Sequence, residues 1–196
     1  MLKKHLIATF VAVCGASSLW AAAPTDPVTI GDMTYDVTTE VAGQKLALNG
    51  AGLRKIVFFK VYAGGLYVTT PSENPADIFA DEKARRVRLG LLRDVKGADF
   101  VEALEEGLND NLTPEKKAAI EKEVATLQSV MKTIGDVKTG DWIDFDYVPG
   151  TGTVITRNGK TVADPIPGKA LYDAVLAIWL GENAIDGTLK EGMLGL

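Results

Sequence analysis

The sequence predicts an α+β domain, one large antiparallel sheet with helices segregated to one face. Short runs of β-branched and aromatic residues, broken by glycine-containing turns, fill positions 28–69 and resume over 142–163. Between them, and again after Pro167, apolar residues recur at helical spacing. The order is strands, two helices, a hairpin pair, then a helix. No repeat, low-complexity tract or long linker interrupts it, and 196 residues suit about one domain with a real core.

Residues 1–23 stand apart from this domain, which occupies 24–196. Lys3, Lys4 and His5 form a positive start, Leu6 to Ala16 is almost wholly apolar, and Ala21, Ala22 and Ala23 supply small residues. That pattern is a secretory signal peptide, and its apolar run is short for a bilayer span. The expected location is therefore exported, periplasmic, with no stable membrane span once the leader is removed. The only cysteine, Cys14, and the only histidine, His5, leave with it. The remaining chain has no disulfide, thiol nucleophile, Ser-His pair or His or Cys metal ligand. No metal site and no cofactor are expected. The mature chain holds 19 basic and 26 acidic residues, a net charge of −7. That excludes the basic footprint of a nucleic-acid binder.

Val28 to Thr39 reads as one or two short strands broken at Gly31-Asp32, and Val41 to Leu48 as another, with Ala42-Gly43 as a hairpin turn. Asn49 to Gly52 reads as a glycine turn. It opens Ile56 to Val68, the densest β-forming segment and the predicted central, buried strand. Gly64-Gly65 within it marks a bulge or a close backbone approach. Pro71 to Pro75 is a turn cluster and Val87 to Leu92 a further strand. Phe100, Val101, Leu104 and Leu108 give one helix. Thr113-Pro114 starts a second, whose stripe Ile120, Val124, Leu127, Met131 and Ile134 ends at Gly135. Over Trp142 to Val148, Ile143, Phe145 and Tyr147 alternate with Asp144 and Asp146, which places the two carboxylates on the solvent side. Asn158-Gly159 turns a hairpin, Lys169 to Leu180 is an apolar helix ended by Gly181, and Thr188 to Gly195 is a last short helix or docked turn.

Asn-Gly-Ala-Gly-Leu-Arg at 49–54, Phe-Phe-Lys-Val-Tyr-Ala-Gly-Gly-Leu-Tyr-Val at 58–68, the capped helix pair and Leu-Tyr-Asp-Ala-Val-Leu-Ala-Ile-Trp-Leu-Gly at 171–181 together resemble the chalcone isomerase superfamily, and most of all its exported bacterial branch. The resemblance runs from about Thr34 to Gly195. It implies an open-faced β-sandwich with a ligand cleft between sheet and helices. It also implies one of three roles: flavonoid isomerisation, fatty-acid binding, or neither.

By that resemblance Arg54 matches the family arginine that holds an anionic ligand oxygen. Tyr62 stands where true isomerases have a strand threonine, and Phe100 where they have a helix tyrosine. Gly107 replaces their asparagine and Tyr172 their late serine or threonine. Without the tyrosine hydroxyl and the asparagine amide, the network that stabilises a developing enolate is incomplete. An arginine with a strand tyrosine resembles the fatty-acid-binding branch, where a guanidinium fork and a phenol clamp a carboxylate. The expected ligand is thus an apolar carboxylate, with Lys60 as a substitute cation. The alternatives are an isomerase shuttling protons through Tyr62 or Tyr172, and an interaction module with no small ligand.

In one unbroken strand Arg54 and Tyr62 would share a face but lie about 26 Å apart at roughly 3.3 Å per residue. Either the segment bends or turns near Lys55 or Ile56, or Tyr62 is not part of the site. Export is tested directly by mass. The chain recovered from outside the cytosol should be about two kilodaltons lighter than its precursor, the mass of a leader of roughly twenty residues. A full-length chain confined to the cytosolic fraction would contradict the leader.

Overall fold

Seven strands pair antiparallel in strict chain order in the computed structural model, which describes residues 23–196. The predicted leader lies outside the described residues except for Ala23. The strands are β3 (Thr38–Val41), β4 (Gln44–Ile56), β5 (Phe59–Val68), β6 (Arg85–Leu91), β7 (Trp142–Val148), β8 (Gly152–Arg157) and β9 (Lys160–Thr161). A separate hairpin, β1 (Val28–Ile30) with β2 (Met33–Tyr35), precedes them. Helix α1 (Pro75–Ala80) connects β5 to β6. Helices α2 (Gly97–Asn111), α3 (Pro114–Ala119) and α4 (Glu121–Ile134) connect β6 to β7, and α5 (Lys169–Leu180) and α6 (Gly187–Leu194) close the chain. The predicted α+β class and antiparallel sheet are what the chain adopts.

Period-two alternation sorts the sheet into two faces. Tyr62 and Leu66 of β5, Val87 and Leu89 of β6, and Ile143 and Phe145 of β7 point toward the helices and share one core with them. The opposite face carries a smaller cluster in which Met33 and Tyr35 of the β1–β2 hairpin cover Leu46, Leu48 and Tyr67. Asp144 and Asp146 belong to this second face, but they are not solvated as expected, being only 2% and 4% exposed. Arg86 and Arg88 stand directly across the β6–β7 ladder and grip them in two-pronged contacts. Arg86 Nε and Nη2 donate to Asp146 at 2.6 and 2.7 Å, and Arg88 Nε and Nη2 to Asp144 at 2.7 and 2.9 Å. The period-two spacing of the arginines matches that of the aspartates, so each carboxylate meets a guanidinium in register.

The predicted central strand is two strands. The chain reverses at Val57-Phe58, so Ile56 faces Phe59 and Arg54 faces Tyr62. Val57, at φ 55°, makes the turn without glycine or asparagine, which is why it reads as strand interior. The predicted glycine turn at 49–52 instead lies inside β4. Its glycines let α6 lie backbone against backbone on the strand: a Cβ on Gly50 would meet Gly192 O at 2.2 Å, and one on Gly192 would meet Gly52 Cα at 2.7 Å. Buried Asn49 secures the contact, its Nδ2 donating to Met193 O at 2.9 Å and its Oδ1 accepting from Ser72 N at 2.7 Å. Gly65 is a close approach as expected, with a Cβ there only 2.5 Å from the Tyr35 ring.

Two helical readings change. Asn74-Pro75 starts α1, Asn74 Oδ1 accepting from Ala76 N at 3.1 Å, where only a turn was expected. The helix beginning at Pro114 breaks at Ile120 (φ −125°, ψ 24°). This leaves α3 without buried residues, while α4 carries the apolar stripe. Among the described residues no helix is long and apolar enough to cross a membrane.

The glycine contact gives a stability test. Gly50→Ala should cost about 3 kcal/mol, because backbone on the opposing side cannot yield as a side chain could. Gly187→Ala, with nothing within 4 Å of the added atom, should stay within about 0.5 kcal/mol of the parent. Urea unfolding of both variants checks this, and equal midpoints would contradict it.

Candidate ligand site

Between the sheet and the helices lies a small apolar pocket of about 50 Å³. Tyr62, Leu89 and Phe145 form its sheet wall, and Phe100 and Leu104 of α2 face them. Trp179 of α5 and Ile185 of the following loop close it. The Phe145 and Trp179 rings meet at 5.7 Å between centroids, inclined by 49°.

The pocket's polar focus is Tyr62. Trp179 Nε1 donates to Tyr62 Oη at 3.0 Å, which uses the indole's single donor. The phenol's own O–H has no acceptor among the described residues. Burial pushes the Tyr62 phenol up to about 12, against the pull of the Trp179 hydrogen bond and the Arg54 charge. At neutral pH it is a proton donor, not a base.

Arg54 stands directly across the ladder from Tyr62, on the helix-facing side. Its Nη1 donates to Lys55 O at 2.7 Å and to Asp186 Oδ2 at 3.3 Å. The ion pair is largely shielded, with side chains 19% and 15% exposed. Nε and Nη2 have no acceptor among the described residues, so one edge of the guanidinium is unspent. Asp186 also caps α6, its Oδ1 accepting from Leu189 N at 3.1 Å. Burial alone would raise the Asp186 carboxyl, but the Leu189 and Lys55 N–H groups and Arg54 outweigh it and hold it below the usual range.

The sequence-predicted site residues fall into separate places. Tyr62 and Phe100 share the pocket wall, and Arg54 adjoins them through the ladder. Lys60 is exposed and faces Lys55 nearer the hairpin tip. Gly107 is a helix-crossing position, where a Cβ would lie 2.8 Å from Ile178 Cγ2. Tyr172 belongs to another cluster. There the fully buried Arg85 lies over the Tyr147 and Tyr172 rings at 5.1 and 5.2 Å, and its Nη2 reaches Asp173 at 3.3 Å. Sequence reasoning missed Asp186 as Arg54's partner. Its one sequence signal is an aspartate immediately before the last helix. Trp179 belongs to the apolar helix expected over Lys169 to Leu180, and its hydrogen bond to Tyr62 carries no sequence signal.

A roomier groove of about 490 Å³ runs along the outer side of α5, lined by Ala170, Ala174 and Ala177 opposite Leu112 and Ile120. Its charged groups are Lys116 and Asp173, and Asp173 is already engaged by Lys169 at 2.7 Å and by Arg85. Among the described residues no group of three or more His, Cys, Asp or Glu side chains could hold a metal ion.

A seven-stranded antiparallel sheet backed by helices, with an apolar pocket between the layers and an arginine at its side, defines the class of protein. The chalcone isomerase-like family model matches residues 27–195, and the chain belongs to that family. No curated protein matches it by sequence. Among solved structures, a fatty-acid-binding protein of Arabidopsis thaliana shares the fold. It has a TM-score of 0.65 and 15% identity over 86% of this chain and 96% of that one.

The Tyr62–Trp179 contact can be tested on its own. Tyr62→Phe leaves the buried indole N–H without its acceptor and should lower stability by about 1–3 kcal/mol. Unfolding followed by tryptophan emission measures it, and an unchanged midpoint would mean that the indole has another partner.

Proposed function

We propose that the protein is an exported binding protein for an apolar carboxylate, a fatty acid in the simplest case, held between the sheet and helices α2 and α5. One observation carries this reading. Two unspent donors, the Tyr62 O–H and the Nε/Nη2 edge of Arg54, sit on directly opposed residues beside an apolar pocket. Side-chain roots of such pairs are about 5 Å apart, so one carboxylate can accept from both. The fold shared with a plant protein named for fatty-acid binding supports the same reading.

The pocket's 50 Å³ is room for one or two waters. Sites for larger ligands run to about 300–1,000 Å³. An acyl chain therefore enters by displacing Phe100 and the first turns of α2, and apparent affinity falls by the population of the open form. Asp186 competes with the ligand for Arg54. An isomerase reading needs a group that accepts a proton near neutral pH. Burial pushes both the Tyr62 and Tyr172 phenols up, away from that range.

The groove along α5 supports a second reading, because its 490 Å³ already matches an acyl chain. Lys116 would then be the head-group anchor. Ala177→Phe fills that groove and leaves the Tyr62 pocket untouched.

Calorimetric titration with a fatty acid and the alcohol of equal chain length tests the assignment. A charge-assisted fork is worth about 1.5–3 kcal/mol, so Arg54→Ala should weaken acid binding roughly ten- to a hundredfold. Alcohol affinity should hardly change. Loss of the shielded Asp186 pair should cost the fold about 1–3 kcal/mol, with Asp186 still held by the Leu189 and Lys55 N–H groups. Asp186→Asn keeps the helix cap, since asparagine caps as well as aspartate, and should tighten acid binding several-fold by removing the competing charge. Acid affinities that ignore both substitutions but fall with Ala177→Phe would move the ligand to the groove.

A further inference from the structure

We propose that the tip of the β4–β5 hairpin docks the protein onto anionic lipid bilayers. Beyond Arg54–Tyr62 the hairpin projects as a two-stranded finger. β6 pairs with β5 only from Tyr62 onward, and β3 with β4 only as far as Ala47. At its end Ile56, Val57, Phe58 and Phe59 are 52, 77, 91 and 61% exposed. These four consecutive apolar side chains are the large hydrophobics of the described domain left in solvent, apart from the terminal Leu196. A soluble fold ordinarily places glycine, asparagine or charge at a hairpin tip. Here a β-branched valine takes the turn at φ 55°, a region that such residues rarely enter.

Cations ring the tip. Lys55 and Lys60 stand directly opposite each other in register, where like charges destabilise a ladder. Arg93 lies over the Phe59 ring at 4.9 Å. Asp186 faces Lys55 N and Arg54 and so neutralises Arg54 but not the two lysines. Asp94, beside Arg93, is taken by Lys138 at 3.0 Å. This local positive charge belongs to a chain with an acidic balance, net −5 over all 196 residues. It is therefore a feature of the finger, not of the surface at large.

Apolar side chains at an end, flanked by lysine and arginine, match the interface of an anionic bilayer. Such elements bury about 5–10 Å into the headgroup region, and each nearby basic residue adds to the attraction. A stable protein interface buries about 800 Å² per partner, more than one hairpin turn offers. The charge complementarity and the small area both favour lipid over a second copy. Tyr62 lies about 13 Å along the strand from Phe58 at roughly 3.3 Å per residue. A docked finger would thus hold the pocket just above the headgroups. That consequence, transfer of acyl carboxylates between bilayer and pocket, rests on the ligand reading above, whereas docking itself does not.

The test uses the full chain and ligand-free vesicles. Parent and variants are sedimented with vesicles of equal parts phosphatidylglycerol and phosphatidylcholine, and with pure phosphatidylcholine. The parent should bind the anionic vesicles, less as salt rises, and the neutral ones weakly. Phe58→Ser with Phe59→Ser should lose at least tenfold in binding with an unchanged melting temperature. Each of Lys55→Gln and Lys60→Gln should lose about fivefold. In Phe58→Trp the added indole should shift its emission to the blue on anionic vesicles and be quenched by brominated lipid. Undiminished binding by the double serine variant would overturn the proposal, since any leader is common to both proteins. So would an unshifted emission, or self-association abolished by the serines without vesicle binding. Vesicle binding that persists while calorimetry finds no fatty-acid affinity would remove the ligand reading and leave docking intact.

Discussion

Cross-strand pairing of Arg54 with Tyr62 is the constraint on which the rest of the pocket depends. It follows from a chain reversal at Val57-Phe58 that no turn residue marks. The reversal brings to one ladder position two residues that an unbroken strand would separate by about 26 Å. Packing of α6 on β4 then completes the arrangement. Because Gly50, Gly52 and Gly192 have no side chains to hold the backbones apart, the start of α6 reaches the end of β4. Asp186 therefore meets Arg54 while capping its own helix. One carboxylate thus does structural work for α6 and sets the charge balance beside the pocket.

The two faces of the sheet solve different problems. Toward the helices the contacts are almost wholly apolar, and they keep the pocket closed around Tyr62 and Trp179. On the other face the Arg86–Asp146 and Arg88–Asp144 forks share the side of the sheet that carries the smaller apolar cluster, and Arg86 also donates to Thr39 of β3. Buried pairs of this kind add little net stability, because desolvation offsets much of their attraction. Their value is in register. A one-residue slip of β7 against β6 would turn Asp144 and Asp146 into the apolar core and leave Arg86 and Arg88 without their partners. The same alternation places Leu89 and Phe145 on the pocket wall.

The sheet's alternation, the Asn158-Gly159 hairpin, the Thr113-Pro114 helix start and helix α5 were legible because each rests on local chemistry: period-two burial, positive φ, capping. What was not legible depends on distant partners. Asp144 and Asp146 look solvated until Arg86 and Arg88 are placed opposite them. Asn49 to Gly52 looks like a turn because the helix that needs its small residues comes some 140 positions later, at Gly192. Ile56 to Phe59 looks like strand interior because propensity records a preference for pleated backbone and does not register exposure. Of the site residues, Tyr62 and Phe100 share a wall, whereas Tyr172 pairs with Arg85 through packing that no local pattern encodes.

The central claim is that a bound carboxylate lies against the free edge of Arg54. Nuclear magnetic resonance of a fatty acid labelled with carbon-13 at its carboxyl reads this directly, by following the bound signal as pH is lowered. A guanidinium within about 4–6 Å favours the charged form. The bound carboxyl should therefore titrate below the ordinary carboxylate range in the parent protein and move upward in Arg54→Ala. A bound carboxyl that titrates above the ordinary range in the parent, or at the same pH in both proteins, would contradict the assignment.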